Sequence, residues 1–198
     1  MHKHRITQSS CMLFLTAGIW LASLGIAPAA TDMFLSLRGV PGESQDAKFP
    51  NQIVVLGYSH SITTPPPASP GGASKSVHQP LKITKMVDRA SPAINQAVCS
   101  GKVYTTAILT VVRTGGDRNK LIEYELGNVS ITSVTANGST TALLPTEEIA
   151  LSYTTIKWTY YYQAANGTLT SYVGGWNTVT GTPIPAPAQA AKETLAID

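Results

Sequence analysis

Four stretches of this chain alternate apolar and polar residues with a period of two, and two of them change phase halfway along. That is the signature of half-buried strands, not of helices. "QIVVLGYSHSI" places Val54, Leu56, Tyr58, His60 and Ile62 on one face. "VYTTAILTVV" places Val103, Ala107, Leu109 and Val111 on one face and Tyr104, Ile108 and Val112 on the other, as in a strand covered on both sides. "LIEYELGNVSITSV" runs Ile122, Tyr124, Leu126 and then shifts to Val129 and Ile131. "IALSYTTIKWTYYY" runs Ile149, Leu151, Tyr153 and then shifts to Ile156, Trp158, Tyr160 and Tyr162. A slip of one residue turns a strand over, so a β-bulge is expected at Gly127-Asn128 and a second switch at Thr154-Thr155. Long bent antiparallel strands predict a mainly β fold, a small barrel-like pair of antiparallel sheets.

One segment breaks the alternation. "ASPAINQAVCSGK" offers Ser91 as N-cap, Pro92 in the first turn, Ile94 and Val98 along one side, and Gly101 as the stop. The pattern predicts one short flanking helix over residues 91–100, with Lys102 near its negative end. Cys99 falls near the end of that helix and is expected to be buried and inert. "TTPPPASPGGASKS", residues 63–76, reads as a long Pro/Gly/Ser loop between strands. Beyond residue 177 the chain reads as a flexible Pro/Ala-rich tail, because "TPIPAPAQAAKETLAID" carries little apolar bulk.

Residues 1–29 have a separate logic. Lys3 and Arg5 precede an apolar run, which ends in "APAA" with Ala27 and Ala29 at the positions a signal peptidase reads. The expected cut falls between Ala29 and Ala30, with an uncleaved membrane anchor as the alternative. Cleavage would remove two of the 14 basic residues and none of the 11 acids, which leaves 12 against 11 and a net charge of +1. The sequence pI of 8.9 is therefore no argument for nucleic acid, and no basic stripe with interleaved aromatics occurs. After cleavage no membrane segment is expected.

Side chains that catalysts use are present but scattered. "GESQDAKFPNQIVVLGYSHS" holds Glu43, Asp46, Lys48, Tyr58 and His60, with both acids in a Gly/Pro-flanked turn. His60 and His78 are the histidines that remain after cleavage, and neither has a Cys or carboxylate at metal-ligand spacing. Glu147 and Glu148 are adjacent, so a strand points them to opposite faces. Asp88 precedes the helix and suits its positive end. No G-x-S-x-G elbow and no phosphate-binding loop occurs; Gly71-Gly72 and Gly115-Gly116 read as turn glycines. Sequons at Asn128, Asn137 and Asn166 are common by chance in a Thr/Asn-rich chain. No catalytic residue, metal or cofactor is expected, and an enzyme would require distant residues to converge.

The order of these motifs is more specific than any one of them. "DMFLSLRGVPGESQDAKFPNQIVVLGYSHSI", "HQPLKITKMVDRASPAINQAVCSGK", "AILTVVRTGG", "YELGNVSITSV", "PTEEIALSYTTIKWTYY" and "GGWN" follow one another over residues 32–177. The series resembles the haemolysin-coregulated proteins (Hcp), the tube-forming subunits of bacterial type VI secretion. The resemblance implies a barrel-like domain over residues 30–177, self-association into six-membered rings, stacking of rings into a tube, and cargo or secretion-apparatus proteins as partners. It implies no catalytic residue or cofactor. The 63–76 loop, with Pro65, Pro66, Pro67, Gly71 and Gly72, lies where the family has a loop that helps rings stack. Typical members lack a signal peptide, so the leader makes this an exported relative, secreted or periplasmic. Cytoplasmic assembly followed by type VI export is the alternative. A secreted β-sandwich binding module that uses Trp158, Trp176 and Tyr160–Tyr162 is the competing reading.

Overall fold

The computed structural model describes residues 30–67, 72, 74–114, 118–141 and 144–185. Ala29, Gly71 and most of the tail lie outside these residues. β1 (Thr31–Leu37) pairs antiparallel with β2 (Ile53–Val55) on one side and β7 (Val103–Arg113) on the other. β2 continues through Leu56 into β3 (Gly57–Ser59), which pairs with β6 (Leu81–Met86). β6 pairs with β9 (Thr146–Ser152), β9 with the C-terminal half of β8 (Lys120–Asn137), and β8 with β7. The circuit returns to β1. It is a closed barrel in which β2 and β3 share one wall, and closure removes the free edges that an open sheet exposes.

Leu35, Ile53, Leu81, Leu109, Leu126 and Ile149 fill the barrel, each nearly inaccessible to water. Phe34 and Phe49 stack outside it at 4.7 Å over Val112, so part of β7 is indeed covered on both faces. The N-terminal half of β8 pairs with β10 (Thr155–Gln163), which pairs with β11 (Leu169–Asn177) to extend the sheet past the barrel. The segment read as a loose tail contains β12 (Thr182–Pro183), paired to β11, with Ile184 N–H bonded to Gly175 O at 2.9 Å. Backbone pairing along an edge needs little apolar bulk, which is why composition did not reveal it.

β8 changes partner where its phase changes. It pairs with β10 as far as Gly127 and with β9 from Ser130 onward. Asn128 takes φ 51°, and a Cβ on Gly127 would lie 2.2 Å from Thr155 Oγ1. The expected bulge at Gly127-Asn128 is not a register shift against β7, which continues as Thr106↔Gly127 and Tyr104↔Val129. Both strands turn the corner together, so Tyr104 and Ala107 are both buried and Val103 is left outside. The register shifts lie instead at Val111/Val112 and Ile131/Ser133.

The face assignment of one strand needs correction. Ile53 and Val55 point into the core, while Val54 and Leu56 are 44% and 46% exposed and Ile62 is also exposed. The wall breaks at Leu56 between β2 and β3, and one period drawn through 54–62 averages across that break.

α1 spans Ser91–Ser100 as expected and buries Ile94 and Ala97. Its cap differs: Ala90 is the N-cap, and Ser91 is the first helical residue. Asp88 Oδ1 accepts the Ala90 N–H at 2.9 Å, so the acid before the helix does bind its start. Gly101 closes the helix at φ 64°, and the Lys102 ammonium lies over the Tyr104 ring. Cys99 is exposed, not buried, because the residues that face the core are Ser91, Ile94 and Ala97.

Candidate functional site

The 63–76 loop is not loose at its root. β4 (Ile62–Thr63) pairs with β5 (Val77–His78), and Gln79 N–H bonds Ser61 O at 3.0 Å. This ribbon forms its own two-stranded sheet, separate from the barrel ladder. Pro65, Pro66, Pro67 and Gly72 are exposed beyond it. Prolines cannot donate to a ladder, so the ribbon stops where they begin.

A ring cluster lies at the root. His60 Nε2 is 2.6 Å from Tyr153 Oη, and His78 Nδ1 is 3.3 Å from the same oxygen. The His60 ring also meets Tyr124 edge-on at 6.0 Å, and Tyr124 Oη bonds Tyr58 Oη at 3.2 Å. Burial lowers the pKa of His60, helped by the charge of His78, and burial lowers that of His78. Burial pushes Tyr153 up to about 12. Ser76, His78, Gln79, Ser152, Tyr153 and Thr178 line a small cavity of about 140 Å³ there. Sequence reasoning did not join these groups. Ninety-three positions separate His60 from Tyr153, and only the folded corner between β9 and β10 brings them together.

The acids of the opening turn have structural partners. Glu43 Oε1 accepts the Arg89 N–H at 3.0 Å. Asp46 Oδ1 accepts Lys48 N–H at 2.8 Å and Phe49 N–H at 3.2 Å, while Oδ2 pairs with Arg118 at 2.7 Å. Gly42 is obligatory in this turn, since a Cβ there would lie 2.4 Å from the backbone of Gln52 and Ile53. Ala30, the residue expected to follow the leader, accepts the Thr114 N–H at 2.8 Å and so begins inside the fold.

A cleft of about 580 Å³ includes Phe49, Gln52, Thr110, Arg118, Lys120 and Tyr161 in its lining. Its charges are paired, with Arg118 held by Asp32 and Asp46 and Lys120 held by Glu123. Glu147 is buried against Lys85 while Glu148 faces outward to Lys82 at 3.0 Å, the opposite-face placement expected of neighbours on a strand. Among the described residues, no group of three or more His, Cys, Asp or Glu side chains is arranged to hold a metal ion.

The family model for the type VI secretion system effector Hcp matches residues 34–160, which takes in the barrel from Phe34 of β1 to the end of β9. The chain belongs to the Hcp family. Protein hcp1 of Pseudomonas aeruginosa is 33% identical over 144 residues, which is 70% of this chain and 88% of that relative. A solved structure of a type six secretion system protein superposes with TM-score 0.72 at 27% identity, over 78% of this chain and 100% of that one. Hcp1 from Salmonella typhimurium superposes with TM-score 0.68 at 27% identity, over 78% of this chain and 99% of its own. Hcp is a family of structural, secreted proteins. No described helix is long and apolar enough to cross a membrane.

Proposed function

We propose that this chain is an exported, ring-forming Hcp subunit whose rings, six-membered by family resemblance, stack through the loop that the β4–β5 ribbon carries. The observation that carries the reading is the closed barrel with apolar side chains left on its outside. Val54, Leu56 and Val103 on the barrel, with Ile62 and Val77 on the ribbon beside it, are all more than 40% exposed, although closure has already used the barrel's own strand edges. A heterologous contact repeated around a closed ring covers such residues without growing an open filament.

In this reading residues 1–29 direct export and are cut off before Ala30, and cargo or secretion-apparatus proteins are the further partners. Glu43, Asp46 and His60 have structural rather than catalytic roles. The competing binding-module reading draws support from Tyr162 and Tyr172, which stack at 5.5 Å on the sheet that leaves the barrel.

The test is light scattering with electron microscopy on residues 30–198 across a dilution series, beside a variant lacking residues 63–76. Rings are expected in both, with stacks weakened in the variant. A strict monomer at tens of micromolar, roughly where modest interfaces associate, would overturn the ring and favour the binding module.

A further inference from the structure

We propose that His60, His78 and Tyr153 form an acid-release latch: neutral imidazoles hold the β4–β5 ribbon against the barrel, and their protonation lets it go. The ribbon makes no ladder hydrogen bond to the barrel sheet. The two histidines flank it, His60 just before β4 and His78 within β5 opposite Ile62. Both converge on Tyr153, in the corner between β9 and β10. One phenol therefore ties both legs of the ribbon to the body. Among the described residues a further tie runs from Lys75 Nζ to Val179 O at 3.3 Å, on the exposed surface.

The proton count of the cluster favours the neutral state. Tyr153 has one proton to donate and an oxygen that accepts. With both imidazoles neutral, Tyr153 O–H can donate to His60 Nε2 while His78 Nδ1–H donates to Tyr153 Oη, and the three atoms that meet there are satisfied. Protonating one imidazole can still be absorbed, because the other can change tautomer and accept the phenol proton; protonating both aims two N–H groups at one oxygen and leaves the phenol proton without a partner there.

Among the described residues no carboxylate acts on the pair to welcome the new charge. The groups facing the pair are Tyr124 from β8, which also bonds Tyr58 of β3, Tyr153 from the corner, and each histidine from the other. On the adjoining walls, Lys82 of β6 is closed on Glu148 of β9. Both histidines bind protons more weakly here than in a free chain, so the open form takes up more protons as pH falls. The latch is full above the ordinary histidine value of 6.5 and weakens below it.

The latch rests on local geometry, and only its consequence for stacking rests on the reading of the loop given above. The experiment is hydrogen exchange of the full chain between pH 7.5 and 5, corrected for intrinsic rates, followed at the Gln79 and Val77 amides with Ala107 and Leu126 as barrel controls. Protection at the ribbon should fall about tenfold or more, the effect of one pKa unit of preference, while the controls hold. His60→Gln/His78→Gln, which cannot titrate, should flatten the response. Tyr153→Phe should leave the ribbon open already at pH 7.5 with the barrel intact. A ribbon equally protected at both pH values, or one still acid-sensitive in the double variant, overturns the latch. Stacks are scored in parallel by electron microscopy. A ribbon that opens while stacks persist supports the latch and overturns the stacking role of the loop instead.

Discussion

Lys85 Nζ lies 2.6 Å from Glu147 Oε1, and neither side chain reaches solvent. Asp88 Oδ1 at 2.6 Å, Met86 O at 2.8 Å and Ser91 Oγ at 3.1 Å complete the ammonium's shell. Ser91 Oγ in turn donates to Glu147 at 2.7 Å and accepts the Asp88 N–H. The cluster joins β6, β9 and the first turn of α1, so the helix is pinned to the barrel through charge as well as through Ile94.

Removing one partner of this pair strands the other charge in the core. Lys85→Met is expected to cost about 3–5 kcal/mol of stability, read as a lower urea midpoint. Lys85→Met/Glu147→Leu should recover part of that loss, because Glu147 is no longer an orphan charge while Asp88 loses its cation and keeps the Ala90 N–H. A double variant as unstable as the single one would show that the pair does more than neutralise itself.

Gly42→Ala is expected to cost more than about 1 kcal/mol, because the added carbon meets backbone at 2.4 Å and backbone cannot swing aside. Gly57→Ala, where a Cβ meets nothing within 4 Å, is the matched control and should be far milder. Equal midpoints for the two variants would refute the close approach.

Much of the barrel was legible before any coordinates. α1 matched to the residue, because Pro92, the apolar side and Gly101 are local signals. The phase changes in β8 and after β9 marked real corners, since alternation is a one-dimensional record of what is buried. Lys85 was not legible: its strand reads as ordinary alternation, and only β9 and the helix start explain a buried ammonium. The outward turn of Val54 and Leu56 was hidden by the break at Leu56. The convergence of His60 and His78 on Tyr153 had no local signal at all, because barrel closure creates it.

Cys99 supplies a direct test of the helix's rotation. It is exposed, whereas Ser91, Ile94 and Ala97 face the core. A thiol reagent followed by peptide mapping should label Cys99 in native protein at a rate close to that in urea, because no packing must open first. Strong native protection of a monomeric chain would mean that the helix is rotated; protection only in assembled rings would place Cys99 in a contact between subunits.

The alkaline limb of stability should carry the mark of the ring cluster. Burial pushes Tyr153 up to about 12, and burial with the Tyr58 hydrogen bond pushes Tyr124 higher still. The folded chain therefore favours the protonated phenols. Their contribution is complete below the ordinary value of 10 and is lost as pH rises through 10 towards 12 and beyond. In a spectrophotometric titration of native protein, some of the eight tyrosines should ionise late, while urea-unfolded chain titrates in one wave near 10. Tyr153→Phe should remove part of the late wave and flatten the fall in stability over that window. A native titration that superposes on the unfolded one would mean that Tyr153 is solvated, and the bonds from His60 and His78 would lose the partly buried setting that strengthens them.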